Sequence, residues 1–164
     1  MQVRDAQAAD AAAITAIYNH YVLNTAISFE EEAVSAADMA YRIADVQAGG
    51  LPWLVAESGG AVVAYAYATK WRVRHAYRFS VESSVYVACL PGPRLSLGKM
   101  LYRALIARLR RHGVHLVIGG IALPNEASVG LHEAMGYVKA AHFAEVGRKF
   151  GHWIDVGYWQ LRLA

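Results

Sequence analysis

Two stretches of this 164-residue chain combine residue types that can do chemistry on an anion. The first, Gly92-Pro93-Arg94-Leu95-Ser96-Leu97-Gly98-Lys99-Met100, sits where a strand hands over to a helix. A helix start presents N–H groups that lack intrahelical partners, together with the positive end of the helix dipole, so it attracts phosphate oxygens. A nucleoside-triphosphatase loop would place four residues between its glycines and a Ser or Thr after the Lys to hold magnesium. Here five intervene and Met100 follows Lys99, so the magnesium ligand is missing. The bland alternative is an ordinary Pro/Gly loop that caps a helix. The second stretch is basic and aromatic, with Lys70, Trp71, Arg72, Arg74, His75, Tyr77 and Arg78. Such a run can bind RNA in a salt-sensitive way, but nothing here adds the stacking platform that would favour that reading.

The elements that must position these stretches follow from periodicity and punctuation. Asp10 can cap a helix whose Ile14, Ile17, Tyr18, Tyr21 and Val22 share one face. Ser35 with Asp38 reads as a capping box before a second helix carrying Met39, Ile43 and Val46 and stopped by Gly49-Gly50. Two β-rich runs, Trp53 to Ala56 and Ala61 to Ala68, flank Ser58-Gly59-Gly60, a hairpin signal. Alternation resumes with Val81, Ser83, Val85 and Val87 on one face and Glu82, Ser84 and Tyr86 on the other. A long helix striped by Leu97, Leu101, Leu105 and Leu109 ends at His112-Gly113. A strand over Val114 to Ile121, a short helix over Asn125 to Met135 closed by Gly136, and two strands separated by Gly147 to Gly151 complete the chain. The order β-α-α-β-β-β-α-β-α-β-β implies a mixed α/β fold, a twisted sheet flanked by helices, in one domain over residues 1–164.

Composition narrows the partners. With 56% hydrophobic and 18% charged residues the chain is of the packed globular kind. A formal charge of +3 is too small and scattered to imply a duplex-binding face, although it suits an anionic cofactor. The single Cys89 excludes an intrachain disulfide framework and a Cys-rich zinc site, and no histidine spacing suggests a metal. Charge arrives at Arg4 and Asp5, too early for a signal peptide, and 18 apolar residues never run together. The expectation is a cytoplasmic protein with no membrane, nucleic-acid or metal partner.

Several separate blocks resemble one family. Glu82-Ser83-Ser84-Val85-Tyr86-Val87, Leu101-Tyr102, Leu123 to Val129, His132 to Tyr137 and Asp155 to Leu161 are similar to the phosphinothricin and methionine sulfoximine acetyltransferases of the GNAT N-acetyltransferase superfamily. Tyr18-Asn19-His20-Tyr21, Pro52 to Glu57 and Trp71-Arg72 match in type and order. The resemblance covers nearly the whole chain. It implies that the parallel strands near Ser80–Val87 and Val114–Ile121 splay apart and admit acetyl-CoA as co-substrate. It also gives the 92–100 segment a third reading, the family's pyrophosphate loop Gln/Arg-x-x-Gly-x-Gly/Ala aligned on Gly98. Two positions depart from that pattern: Pro93 has no N–H to donate, and Ser96 carries a side chain where close backbone approach helps. Affinity for coenzyme A is therefore open, and a weakened or non-catalytic acyl-CoA-binding relative, or a relative acting on another amine, stands as the alternative.

The resemblance further implies roles for individual residues. Val85, Tyr86 and Val87 would offer main-chain groups to the pantetheine arm and polarise the thioester carbonyl. Arg94, Leu95, Ser96, Leu97, Gly98 and Lys99 would hold pyrophosphate, with Asn125 and Ser128 on the pantetheine side. Glu82 would accept the amine's proton, although the strand pattern alone reads it as an exposed carboxylate paired with arginine. His132 would protonate the departing thiolate or help deprotonate the amine, or else simply pack as a helix histidine. Tyr102 reads as part of the cofactor or substrate wall. The related substrates carry an α-carboxylate, which Arg72 and Arg74 suit because Arg binds carboxylates bidentately. Phe29, Trp71 and Tyr77 would wall the pocket, with Glu32 on the amine side. The hairpin around Gly147-Arg148-Lys149-Phe150-Gly151 resembles one that often lies at a dimer interface, so a homodimer is expected.

Overall fold

The computed structural model describes residues 1–91 and 94–163, without the side chains of residues 94 and 95. Gly92, Pro93 and the side-chain roles expected for Arg94 and Leu95 lie outside the described residues. The chain runs β1 (Gln2–Asp5), α1 (Ala11–Asn24), α2 (Ala36–Ala48), β2 (Trp53–Ser58), β3 (Ala61–Lys70), β4 (Ser80–Val87), α3 (Arg94–Arg111), β5 (Leu116–Leu123), α4 (Glu126–Ala134), β6 (Val138–Lys149) and β7 (His152–Arg162). Short 3-10 turns precede α1 and β4. The element order is the expected one. Seven strands form one mixed sheet in the order β1-β2-β3-β4-β5-β7-β6, in which only β4 and β5 run parallel.

Strand alternation divides the core into two layers. Val81, Val85 and Val87 meet α3 and α4, together with Leu101, Tyr102, Leu105 and Leu131. Tyr86 points the other way, into a cluster with α1, α2, Trp53, Val55 and Tyr65. Two stacked aromatic rungs, Trp53 on Tyr67 at 4.0 Å and Tyr65 on Tyr86 at 5.4 Å, tie β2, β3 and β4 beneath these helices. On that same face Ile118 of β5, Phe143 of β6 and Tyr158 of β7 line an open cleft. An open apolar shelf therefore adjoins a covered half-sheet.

Local chemistry corrects several expected boundaries. Ser35 caps α2 by accepting from Asp38 N at 3.1 Å, as its sequence suggests. Asp10 precedes α1 but does not cap it: its carboxylate turns back to Gln7 N at 2.7 Å and to the Arg4 guanidinium at 2.8 and 2.9 Å. The fifth strand starts at Leu116 rather than Val114, because Gly113 at φ +75 ends α3 and Val114 N bonds back to Leu109 O. The last turn is not Gly147 to Gly151 but the pair Phe150-Gly151, at φ 52 and 75, a two-residue hairpin turn with positive φ at both positions. Gly147 lies inside β6, just beyond a three-residue bulge in which Glu145 has φ 53 and donates its N–H to Asp155 Oδ1 at 2.8 Å.

Among the described residues no helix is long and apolar enough to cross a membrane. None of their His, Cys, Asp and Glu side chains forms a group of three or more that could hold a metal.

Candidate active site

The sheet has an opening at its centre. β4 and β5 pair at only three positions, Ser80 with Leu116, Val81 with Val117 and Glu82 with Ile118, although each strand continues for five more residues. Beyond Glu82 the two strands diverge. Ala88 N–H bonds Val63 O and Ser80 C=O accepts from Trp71 N, so even-numbered main-chain groups of β4 face β3. The odd-numbered groups, those of Ser83, Val85 and Val87, then face the gap, and Tyr21 O–H already donates to Val87 O. The main chain of Tyr86 belongs to the β3 ladder opposite Tyr65, and Tyr86 lines the gap together with Val85.

The gap passes through the sheet. One cavity is lined by Ser84 and Tyr86 from one face and by Ser83 and Val85 from the other, with Gly120, Tyr102, His132, Asn125, Ser128 and Ile27 around them. A neighbouring cleft, lined by Tyr21, Ile27, Val85, Tyr86, Val87, Gly98, Asn125, Ala127, Ser128 and Leu131, extends towards the start of α3. Gly98 lets the two helices close there, since a Cβ at that position would stand 2.9 Å from Leu131 Cδ2. Gly98, near the start of α3, thus lies beside the gap.

Glu82 stands at the last β4–β5 pair, half-buried, on the sheet face it shares with Tyr86. A Cβ on Gly120 would lie 3.7 Å from Glu82 Oε1 and 3.1 Å from Tyr158 Cε1, so the carboxyl and the tyrosine ring meet over a bare stretch of β5. Trp71 packs edge-on against Tyr158 at 5.7 Å, and the Arg72 guanidinium lies 4.3 Å above the Trp71 ring. Trp71, Arg72, Phe143 and Tyr158 line a cleft of 240 Å³ on the shelf. Burial pushes the Glu82 carboxyl above the ordinary carboxylate range, and the opposing pull of Arg72 is the smaller effect. A carboxylate so placed is a competent proton acceptor for a cationic amine.

On the opposite face a chain of hydroxyls and one imidazole closes the apex of the gap. His132 Nδ1 lies 2.7 Å from Ser128 O, which can only accept, so Nδ1 carries the proton and Nε2 accepts from Tyr102 O–H at 3.1 Å. Burial lowers the His132 pKa, which favours this neutral form. Tyr102 also bonds Ser83, whose Oγ is 3.0 Å from Tyr137 O–H. Burial drives the Tyr102 hydroxyl far above its usual range, which suits it to donating a hydrogen bond rather than losing its proton. Gly119 makes room for the imidazole, because a Cβ there would stand 2.6 Å from His132 Nε2.

The other expected residues divide. Asn125 caps α4, its Oδ1 accepting from Ser128 N at 3.1 Å, and both residues line the cavity. Phe29 packs on Gly147 of the terminal hairpin, while Ile27, two residues before it, reaches the cavity wall. Arg74 and Tyr77 are exposed at the 3-10 turn and Glu32 is exposed after α1, so none of the three lines the clefts described. Ile27, Ser83, Gly119, Gly120 and Tyr158 were not expected. A Gly-Gly pair inside an otherwise apolar strand is a signal of close approach that points to Gly119 and Gly120.

The family model for the acetyltransferase (GNAT) domain matches residues 3–157. The chain belongs to that family. It is 41% identical to the phosphinothricin N-acetyltransferase of Streptomyces viridochromogenes, over 98% of this chain and 86% of that protein. It is 40% identical to the L-methionine sulfoximine/L-methionine sulfone acetyltransferase of Salmonella typhimurium, over 99% of this chain and 95% of the other. A putative acetyltransferase from Salmonella typhimurium, solved with acetyl-CoA, superposes with a TM-score of 0.96 at 40% identity, over 100% of this chain and 94% of that one. The GNAT chain described here is an acyl-CoA-dependent N-acetyltransferase, with acetyl-CoA as co-substrate.

Proposed function

We propose that the chain moves the acetyl group of acetyl-CoA to the α-amine of a small amino-acid analogue of the phosphinothricin, methionine sulfoximine or methionine sulfone type, by direct attack inside the opening. The observation that carries this reading is the position of Glu82, at the last β4–β5 pair with its carboxylate beside Gly120, which lines the opening, and close to Tyr158, which lines the neighbouring cleft with Trp71 and Arg72. The names of the relatives support the substrate class.

In this reading the first turn of α3, with Ser96, Leu97, Gly98 and Lys99, takes the pyrophosphate. Val85 main chain, Asn125 and Ser128 line the pantetheine arm. An α-amine is largely protonated near neutral pH and an ammonium has no lone pair to attack with. Glu82 accepts that proton. The nitrogen then bonds to the thioester carbon, and main-chain N–H groups along the gap stabilise the oxyanion. The C–S bond breaks as the carbonyl re-forms, and the nitrogen's second proton passes through solvent to the departing sulfur, which leaves as free thiol beside the Tyr102 hydroxyl held by His132. Arg72 takes the substrate carboxylate.

Incubation with acetyl-CoA and phosphinothricin or methionine sulfone is expected to release free thiol with turnover. No release across amino-acid, polyamine and peptide amines would overturn the reading. Arg72→Ala is expected to raise the amine KM about 10- to 100-fold, the loss of a charged hydrogen bond, with coenzyme A affinity measured by calorimetry unchanged. An unaltered KM would remove Arg72 from carboxylate capture.

The proposal extends to a homodimer in the cytoplasm. Its supports are the exposed Phe143, Val146, Phe150 and Trp153 along the terminal hairpin and the single cysteine of the sequence.

A further inference from the structure

Lys149, the last residue of β6, is only 2% exposed. Its ammonium donates to three main-chain carbonyls, Val22 O at 2.7 Å, Ser28 O at 2.7 Å and Glu30 O at 2.8 Å. A lysine ammonium has three N–H donors, so these bonds use all of them. The acceptors belong to one stretch, the end of α1 and the connection towards α2. A buried cation is costly unless it is fully hydrogen-bonded, and here the compensation comes from backbone dipoles rather than from a bonded carboxylate. Burial pulls the Lys149 pKa down, while the charges of Glu31 and Glu30 oppose the shift.

The same stretch is held at two more points. Gly147 lies two residues before Lys149, on the same face of β6, and a Cβ there would overlap the Phe29 ring. The Glu30 carboxylate is gripped by Arg42 at 2.7 and 2.9 Å and by the Tyr18 hydroxyl. Residue 30 is therefore tied to the helices through its side chain and to the hairpin through its carbonyl. Between the tied carbonyls of Val22 and Ser28 sits Ile27, which walls the cavity that contains Ser84, Tyr86 and Gly120.

We propose that Lys149 is a positioning residue for the amine substrate, holding residues 22–30 so that Ile27 closes the wall of the opening. This rests on the acetyl-transfer reading above. Ile27 also lines the cleft beside Gly98, but coenzyme A would keep Val85, Asn125, Ser128 and Gly98 there, whereas a small amine depends on the shape of the wall by Gly120. Loosening the stretch therefore acts on the amine first.

The test is Lys149→Met, with three readouts: steady-state kinetics for methionine sulfone, calorimetry with coenzyme A, and amide hydrogen exchange over residues 25–30 in the absence of substrate. The expected result is an amine KM raised about tenfold or more, a coenzyme A Kd within about twofold of wild type, and faster exchange in that segment. An unchanged amine KM, unchanged exchange, or a coenzyme A Kd that rises as much as the amine KM would each overturn the proposal. If Lys149→Met does not fold, Lys149→Arg carries the test, because a planar guanidinium keeps the charge but cannot direct three N–H donors from one nitrogen at the three carbonyls. The same KM-against-Kd split is expected there, and an unaltered amine KM overturns the proposal. The exchange measurement needs no turnover, so wild-type protein that acetylates no amine would sink the transfer reading while the hold of Lys149 on the segment is still decided.

Discussion

Glu82→Gln is expected to lower kcat/KM for the amine by about 10²- to 10⁴-fold while leaving the Kd for coenzyme A within about twofold. Glutamine keeps the size of the side chain and its place beside Gly120, so the opening keeps its shape. What disappears is the only function the substitution targets, acceptance of a proton. The half-buried carboxylate is disfavoured by its surroundings, as its raised pKa records, so a neutral replacement is not expected to destabilise the fold. A melting temperature equal to or above that of wild type, together with the activity loss, separates lost chemistry from lost structure. A decrease of less than about threefold would mean that another group, or solvent, takes the proton.

The second large effect is expected at Gly119. Gly119→Ala sets a methyl group where the His132 ring now lies, 2.6 Å from Nε2 and 2.7 Å from Cδ2. The imidazole cannot retreat without breaking its bonds to Ser128 O and Tyr102, and Tyr102 and Tyr137 pack around it at ring distances of 5.2 and 4.9 Å. Overpacking of this kind costs about 1–3 kcal/mol, read as a lower urea midpoint with unchanged slope. Tyr102 lines the cavity and loses its acceptor, so kcat is expected to fall by more than the population of unfolded protein explains. A variant with wild-type stability and kcat would show that the imidazole and Tyr102 hydroxyl need not be fixed relative to one another.

The architecture was legible because it is written in short-range signals. Period-2 alternation in 81–87 correctly separates the face that meets α3 and α4 from the face that carries Glu82 and Tyr86. Ser35 and the Gly59-Gly60 pair work as their types suggest, the glycines at φ 58 and 80. What failed was settled by competition between neighbours. Asp10 has the right type for a cap, but Arg4 and the Gln7 N–H take its carboxylate. Phe150 is not a turn residue by type, yet it adopts positive φ because the strands on either side fix the register of a two-residue connection.

The site was legible in outline and less so in its walls. Glu82, Arg72 and Trp71 come together because strand pairing brings them to one place, and a resemblance spanning many blocks carries that information. Arg74 and Tyr77 share the composition of that stretch, but the 3-10 turn carries them to the surface. Phe29 and Ile27 differ by two positions in a connection without periodicity, so sequence alone does not say which one reaches the cavity. Lys149 is a lone lysine in a hairpin, a residue type that usually marks solvent, and its three carbonyl partners lie more than 100 residues away.

The most direct measurement of the central claim is kcat for free-thiol release, followed from pH 5 to pH 9 at saturating acetyl-CoA and amine, in wild type and in Glu82→Gln. A base must be ionised to accept a proton, so the wild-type rate is expected to fall as pH drops through the raised Glu82 pKa, on a limb above the ordinary carboxylate range. That limb is expected to vanish in Glu82→Gln. The same acid limb in both proteins would contradict proton acceptance by Glu82 at the opening between β4 and β5.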